Sequence, residues 1–318
     1  MTKLIGNTPM IKINYEYNGN KKYVYAKLEY YNLTGSIKDR MANYILEKSK
    51  ENGELKEGQP IVEVTSGNTG IAFAALGARY GHEVHIFMPD WVSEERKKLM
   101  QSYGAVVHLI SRDEGGFKEC LRRAEEFSKE IGAFRPNQFS NKYNFLVHYE
   151  ETAEEILKDI DEINGFVSGI GSSGTLMGIG KKLKEKNSVT KIYGLEPKQL
   201  PIISEGINKG THKIEGIGDD FIPELFDVKC IDKVITVDDN DAINMAKMLA
   251  KKLGIGVGIS SGANMLGAIL MNEEIGTGAV TVFADDNKKY LSTDLVNEIE
   301  EKDYFISSKV RLIGFEEM

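Results

Sequence analysis

Short apolar runs alternate with longer amphipathic stretches along nearly the whole chain, and that alternation limits the fold more than any other feature. Runs at 23–27, 60–64, 83–89, 105–110, 165–168, 191–196, 233–237 and 279–284 have the length and apolar content of strands. Between them, 36–50, 117–131 and 240–253 carry apolar residues at helical spacing; the last aligns Ala242, Ile243, Ala246, Leu249 and Leu253. Strands separated by helices pair in parallel through crossovers, so the expected fold class is α/β with mostly parallel sheets. With 318 residues against about 150 per domain, the pattern divides into two αβ blocks meeting near 140–148. In such folds the loops at the carboxyl ends of strands carry the site.

Composition removes several classes. Forty Lys+Arg against 48 Asp+Glu give a net charge of −8, and no long basic run offers phosphates a cationic face, so no nucleic-acid partner is expected. Residues 253–272 lack any charge, but their Gly, Ser and Asn content reads as backbone folded around something polar rather than a bilayer span, and no membrane association is expected. The N-terminus, Met-Thr-Lys-Leu-Ile-Gly-Asn-Thr-Pro, lacks a signal peptide's apolar core, and two cysteines, Cys120 and Cys230, make no disulfide framework. Both observations predict a cytoplasmic protein. His82 and His85 have no metal-ligand company nearby, so no metal is expected.

Three polar loops carry chemistry. Gly169–Thr175 follows a strand, opens a helix and satisfies G-x-G-x-x-G, with Glu196 ending the next strand where a ribose-binding acid would stand. A Rossmann oxidoreductase binding NAD is one reading; any phosphate held by backbone N–H groups at a helix N-terminus is the broader one. Thr65-Ser66-Gly67-Asn68-Thr69-Gly70 crowds four hydrogen-bonding side chains before an apolar helix, an anion site suited to a carboxylate. In Asn32–Arg40, Lys38 stands in the first turn of a helix, where the dipole favours its neutral, nucleophilic amine.

Taken in order, these segments resemble the cysteine synthase and cystathionine β-synthase family of fold-type-II pyridoxal 5′-phosphate (PLP) enzymes. The resemblance also runs through Ile5-Gly6-Asn7-Thr8-Pro9, Gln138-Phe139-Ser140-Asn141, Gly216-Ile217-Gly218, Gly258-Ile259-Ser260-Ser261-Gly262 and Tyr290-Leu291-Ser292-Thr293. It implies a tryptophan synthase β-like architecture, with PLP in the cleft between two αβ domains. The smaller, mobile domain would span 35–145 and the larger 1–34 plus 146–318. It further implies that Lys38 is the Schiff-base lysine and that Asn68 bonds the PLP 3′-oxygen. Thr65, Ser66, Thr69, Gln138 and Gly216 would hold the substrate, and Gly171, Ser172, Ser173, Gly174 and Thr175 the cofactor phosphate. The NAD reading explains only one of these loops.

The sequence departs from the family at three places. The phosphate loop reads Gly171-Ser172-Ser173-Gly174-Thr175 where Gly-Thr-Gly-Gly-Thr is usual, which preserves a hydroxyl at 172. Asp219 and Asp220 replace small residues of cysteine synthases; two carboxylates at the mouth oppose a hydrosulfide anion and tolerate or deprotonate water or a thiol. Aligned on Tyr290, the serine expected at the pyridine nitrogen becomes Asp286, whose carboxylate would keep that nitrogen protonated. Asp232, before a strand, is a further candidate base. The resemblance therefore implies β-elimination or β-replacement through an α-aminoacrylate on a cysteine-type amino acid. The acidic residues favour hydrogen-sulfide-forming cleavage of L-cysteine, with cysteine synthesis from O-acetylserine and sulfide as the alternative. A homodimer is expected.

Overall fold

The apolar runs assemble into two separate sheets. The computed structural model describes residues 3–318. Its strands are β1 (Met10–Tyr17), β2 (Asn20–Leu28), β3 (Ile61–Val64), β4 (Val84–Pro89), β5 (Val106–Ile110), β6 (Gly165–Gly169), β7 (Lys191–Pro197), β8 (Lys233–Val237), β9 (Ala279–Phe283) and β10 (Val310–Glu317). The helices are α1 (Lys38–Glu51), α2 (Asn68–Tyr80), α3 (Glu94–Ser102), α4 (Gly116–Ile131), α5 (Lys142–Val147), α6 (Ala153–Asp159), α7 (Gly174–Lys186), α8 (Asp239–Leu253) and α9 (Ile259–Ile275).

Strands β3, β4 and β5 form an all-parallel sheet, and residues 134–138 run beside β3 as a partial fourth strand through the Ile61–Phe134 bridge. Both faces of this sheet are covered, by α1 and α2 on one side and α4 on the other, which is why β3 and β4 are apolar runs rather than alternating patterns. The larger sheet has the order β10-β1-β2-β9-β6-β7-β8. From β2 to β8 it is parallel; β1 and β10 add an antiparallel edge that the helix–strand alternation does not reveal.

Two features of the larger sheet shape the cleft. Strands β6 and β9 share a single backbone pair, Phe166 with Val280. Beyond it side chains take over: Asn264 accepts from the Gly169 N–H at 2.9 Å and donates to the Val282 carbonyl at 2.8 Å, and Thr281 Oγ1 donates to the Val167 carbonyl at 2.7 Å. Second, the uncharged stretch at 253–272 is mainly α9, a buried helix, and not backbone wrapped around a polar group. Two of its polar residues, Asn264 and Asn272, brace strands. Asn272, fully buried, accepts from Ala279 N–H and donates to Tyr15 Oη and the Tyr23 carbonyl. Among the described residues, no helix is long and apolar enough to cross a membrane.

Candidate active site

The loops leaving β3, β6 and β9 meet the start of α1 in one cleft, as the carboxyl-end rule predicts. Lys38, Thr65, Ser66, Asn68, Thr69, Gln138, Gly171, Ser172, Ser173, Thr175, Gly216 and Asp219 all line it.

Lys38 is the first residue of α1. Desolvation lowers its pKa, outweighing the opposing charges of Asp285 and Asp219, and the positive end of the helix acts in the same direction. The amine is therefore poised toward its neutral form. On the β3 loop, Thr69 Oγ1 donates to Gln138 Oε1 at 2.7 Å, Gln138 Nε2 donates to the Val64 carbonyl at 3.1 Å, and Thr65 Oγ1 accepts from Gly67 N–H at 3.0 Å. These bonds fix the hydroxyls and the α2 N-terminus as a preformed anion cradle.

The β6–α7 loop is built for close approach. Ser173, at the N-cap of α7, adopts a left-handed φ of 70°, the conformation for which glycine is the usual choice. Gly171 packs so tightly that a Cβ there would strike the Gly216 carbonyl. Asn144 Nδ2 donates to Ser172 Oγ at 2.9 Å, and His148 Nε2 lies 3.2 Å from Thr175 Oγ1. Burial, with Arg40 and Lys38 nearby, lowers the pKa of His148 well below its ordinary value and keeps it neutral. It begins a π-helical turn, 148–152, between α5 and α6, which turns the imidazole toward the loop.

Two expectations are corrected. Asp286 does not reach the cleft: its carboxylate caps its own turn by accepting from Lys288 N–H at 3.2 Å. Its neighbour Asp285 is fully buried behind the cleft wall, accepting from Asn68 Nδ2 and Tyr290 Oη, both at 2.7 Å. Asp232 lies at the opposite end of the sheet. It precedes β8, accepts from Ile192 N–H at 2.8 Å at the start of β7 and pairs with Lys184 and Lys191. Desolvation raises its pKa, but Lys184 and the Ile192 N–H outweigh that and hold it below the usual carboxylate range. It is a structural anchor at the amino end of the strands.

Of the acidic pair, Asp219 faces the inner cleft, and Asp220 lines only the outer cavity of about 900 Å³ through which the cleft opens. Desolvation, reinforced by the charge of Asp220 and opposed by Lys38, pushes Asp219 up to about 6. Sequence reasoning missed Arg96. Inside the charged run Glu94–Lys98 it looks like a solvated helix face, yet it is buried in the cleft, pairs with Glu215 and lies 4.6 Å from the centre of the Tyr290 ring.

Among the buried polar atoms here that have no partner within the described residues are Ser173 Oγ, Asn68 Oδ1 and Asp285 Oδ1. Unpaired buried groups call for a bound molecule to satisfy them. A glycine- and hydroxyl-rich loop, a buried lysine whose pKa is lowered and a hydroxyl-lined helix N-terminus on one cleft fit PLP, and the chain belongs to the pyridoxal-phosphate dependent enzyme family, whose model matches residues 1–285. It is 40% identical over 299 residues to a cysteine synthase of Staphylococcus aureus, an overlap of 93% of this chain and 96% of the relative. Among solved structures, a hydrogen sulfide-producing enzyme from Fusobacterium nucleatum superposes with a TM-score of 0.95 at 51% identity, covering 98% of this chain and 95% of the other. A cysteine synthase from Entamoeba histolytica superposes at 0.88 and 36%, covering 96% and 93%.

The inward turn of Asp285 carries a prediction. Asp286→Ser should leave the visible spectrum and rate of the holoenzyme unchanged. Asp285→Ser should shift the spectrum and slow turnover about tenfold, the difference between a charge-assisted and a neutral hydrogen bond. Equal spectra for the two variants would remove Asp285 from the cofactor's surroundings.

Proposed function

We propose that the protein cleaves L-cysteine at its Cβ–S bond, consuming water and releasing L-serine and hydrogen sulfide. The observation that carries this reading is Asp219, a carboxylate beside Lys38 in the inner cleft with a pKa near 6. An anionic nucleophile such as hydrosulfide meets repulsion there, whereas water meets a base. The 51% identity to a hydrogen sulfide-producing enzyme supports the same direction.

Lys38, Asn68, Asp285 and the 171–175 loop would hold PLP. Bound there, PLP supplies the electron sink that lets a proton leave Cα and a thiolate leave Cβ. The neutral amine of Lys38 removes the Cα proton. Thr65, Ser66, Thr69 and Gln138 hold the substrate carboxylate, with Gly216 on the facing loop. This fixes the substrate's orientation, so the barrier is lowered by positioning. Asp219 takes a proton from the water that adds at Cβ; that proton makes up the one the expelled thiolate gains in becoming hydrogen sulfide, and Lys38 returns its proton to Cα. The unit 35–145 closes on the rest of the chain when the carboxylate binds, an idea supported by the contacts it already makes across the cleft: Asn68 to Asp285, Ser93 to the Lys289 carbonyl and Ser292 to Glu95.

Product analysis decides between directions. L-cysteine alone should give sulfide with serine or pyruvate as the carbon product. Faster turnover of O-acetylserine with sulfide would favour cysteine synthesis instead. Gln138→Ala should raise KM for cysteine about tenfold, the worth of one hydrogen bond to a charged group, without releasing cofactor. An unchanged KM would free Gln138 from the carboxylate site.

A further inference from the structure

Glu63 is a charged residue in the middle of β3, 1% exposed, and it takes no part in the proposed cleavage steps. Its place becomes clear from the backbone ladder. On the side of β3 away from β4, Val62 N–H donates to the Phe134 carbonyl at 3.0 Å, continuing the Ile61–Phe134 bridge. Three residues beyond Phe134 the neighbouring segment leaves that register: Asn137 takes a left-handed φ of 51° and turns the chain away. The next inward N–H on that side, that of Val64, would be left without a carbonyl. Glu63 supplies the acceptor instead. Its Oε1 accepts from Val64 N–H at 2.8 Å and its Oε2 from Gln138 N–H at 3.4 Å. Val64 and Gln138 are also joined in the other direction, through Gln138 Nε2 and the Val64 carbonyl, and Gln138 Oε1 holds Thr69.

We propose that Glu63 is a positioning residue for the substrate carboxylate site: its two carboxylate oxygens replace the missing ladder carbonyls and so set where Gln138 and Thr69 stand. This rests on the reading that Gln138 and Thr69 hold the carboxylate. A carboxylate is suited to the place because it offers acceptors on both oxygens to converging N–H groups, with that of Asn137 beside those of Val64 and Gln138. A carboxylic acid or an amide turns one of those positions into a donor facing an N–H. The environment makes the difference titratable. Desolvation pushes Glu63 up to about 7, against the N–H bonds and the charge of Arg135 on the same 134–138 segment; across the sheet its β4 neighbour is the apolar Ile86. Above that pH the carboxylate form holds Gln138; below it, the acid form releases one bond.

The test is ligand binding to the holoenzyme, followed by the change in cofactor absorbance, with no turnover involved. L-alanine, which has nothing to expel at Cβ, and L-alaninamide, which lacks the carboxylate, serve as the pair of probes. Glu63→Gln should weaken L-alanine about tenfold at pH 8 and leave L-alaninamide unchanged, with the cofactor band intact. The ratio of wild-type to variant affinity for L-alanine should rise with pH through about 7, as the wild-type carboxylate ionises. Arg135→Gln, which removes a stabilising charge but neither hydrogen bond, should move that midpoint upward.

The outcomes separate the two ideas. If wild-type enzyme binds both probes equally, Thr69 and Gln138 are not the carboxylate site. If the wild type discriminates but Glu63→Gln does so equally well, or loses both probes alike, Glu63 has no positioning role. A midpoint unmoved by Arg135→Gln would assign the titration to another group and overturn the inference.

Discussion

Replacing Lys38 with alanine should abolish the covalent attachment of PLP and lower sulfide release from L-cysteine roughly 10⁴-fold or more. On the proposed reading, the size of the loss comes from two jobs falling on one atom: the Nζ that would carry the cofactor would also be the base that removes the Cα proton. Lys38→Arg should rescue neither, because a guanidinium stays protonated where a buried amine does not. Small exogenous amines should restore part of the rate in the alanine variant by supplying the missing base. Visible absorbance and a sulfide assay read both effects. Full activity in Lys38→Ala without added amine would remove the lysine from the chemistry.

Asp219→Asn should lower conversion of cysteine and water to serine and sulfide by roughly 10²–10⁴-fold, the range for a positioned general base. Proton exchange at Cα, which belongs to Lys38, should continue, and its measurement in heavy water keeps the two residues apart. The variant should also use sulfide with O-acetylserine better than wild type does, because a negative charge has left the path of an anion. In the wild type, the base is competent only when ionised, so sulfide release should rise as pH climbs through about 6. The asparagine variant should lose that limb. If Asp219→Asn releases sulfide at the wild-type rate, water addition does not depend on this carboxylate.

Features contained in one contiguous segment were legible in the sequence. That Lys38, the 65–70 loop and the 171–175 loop line one cleft follows from local signals, because a helix start and a cluster of hydroxyls occupy neighbouring positions. Features that depend on a turn's last residue or on distant pairing were not. Asp285 and Asp286 are adjacent and chemically identical, and the first is held by Tyr290 and by a hydrogen bond from Asn68, 217 residues away in the chain. Asp232 precedes a strand like many candidate bases, but strand polarity puts it at the wrong end of a parallel sheet. The edge strand β10 pairs with β1 across some 300 residues, a contact that no local periodicity encodes. Arg96 was hidden by its charged neighbours.

The loose junction between β6 and β9 has a mechanical meaning. A continuous parallel ladder would hold the two strands about 4.8 Å apart along their whole length, leaving no room for anything between their carboxyl ends. Here the backbone pairing stops after one residue pair, and the Asn264 amide bridges the strands beyond it. Ser168, Gly169, Val282 and Asn264, the residues around that bridge, are themselves walls of the cleft. The sheet is thus split like a plank with a peg driven into the crack, and the reach of one asparagine side chain sets the gauge of the opening. A shorter peg, as in Asn264→Ala, would let the two edges draw together and narrow the slot from behind, while the lysine, the 65–70 loop and the 171–175 loop stay unchanged in sequence.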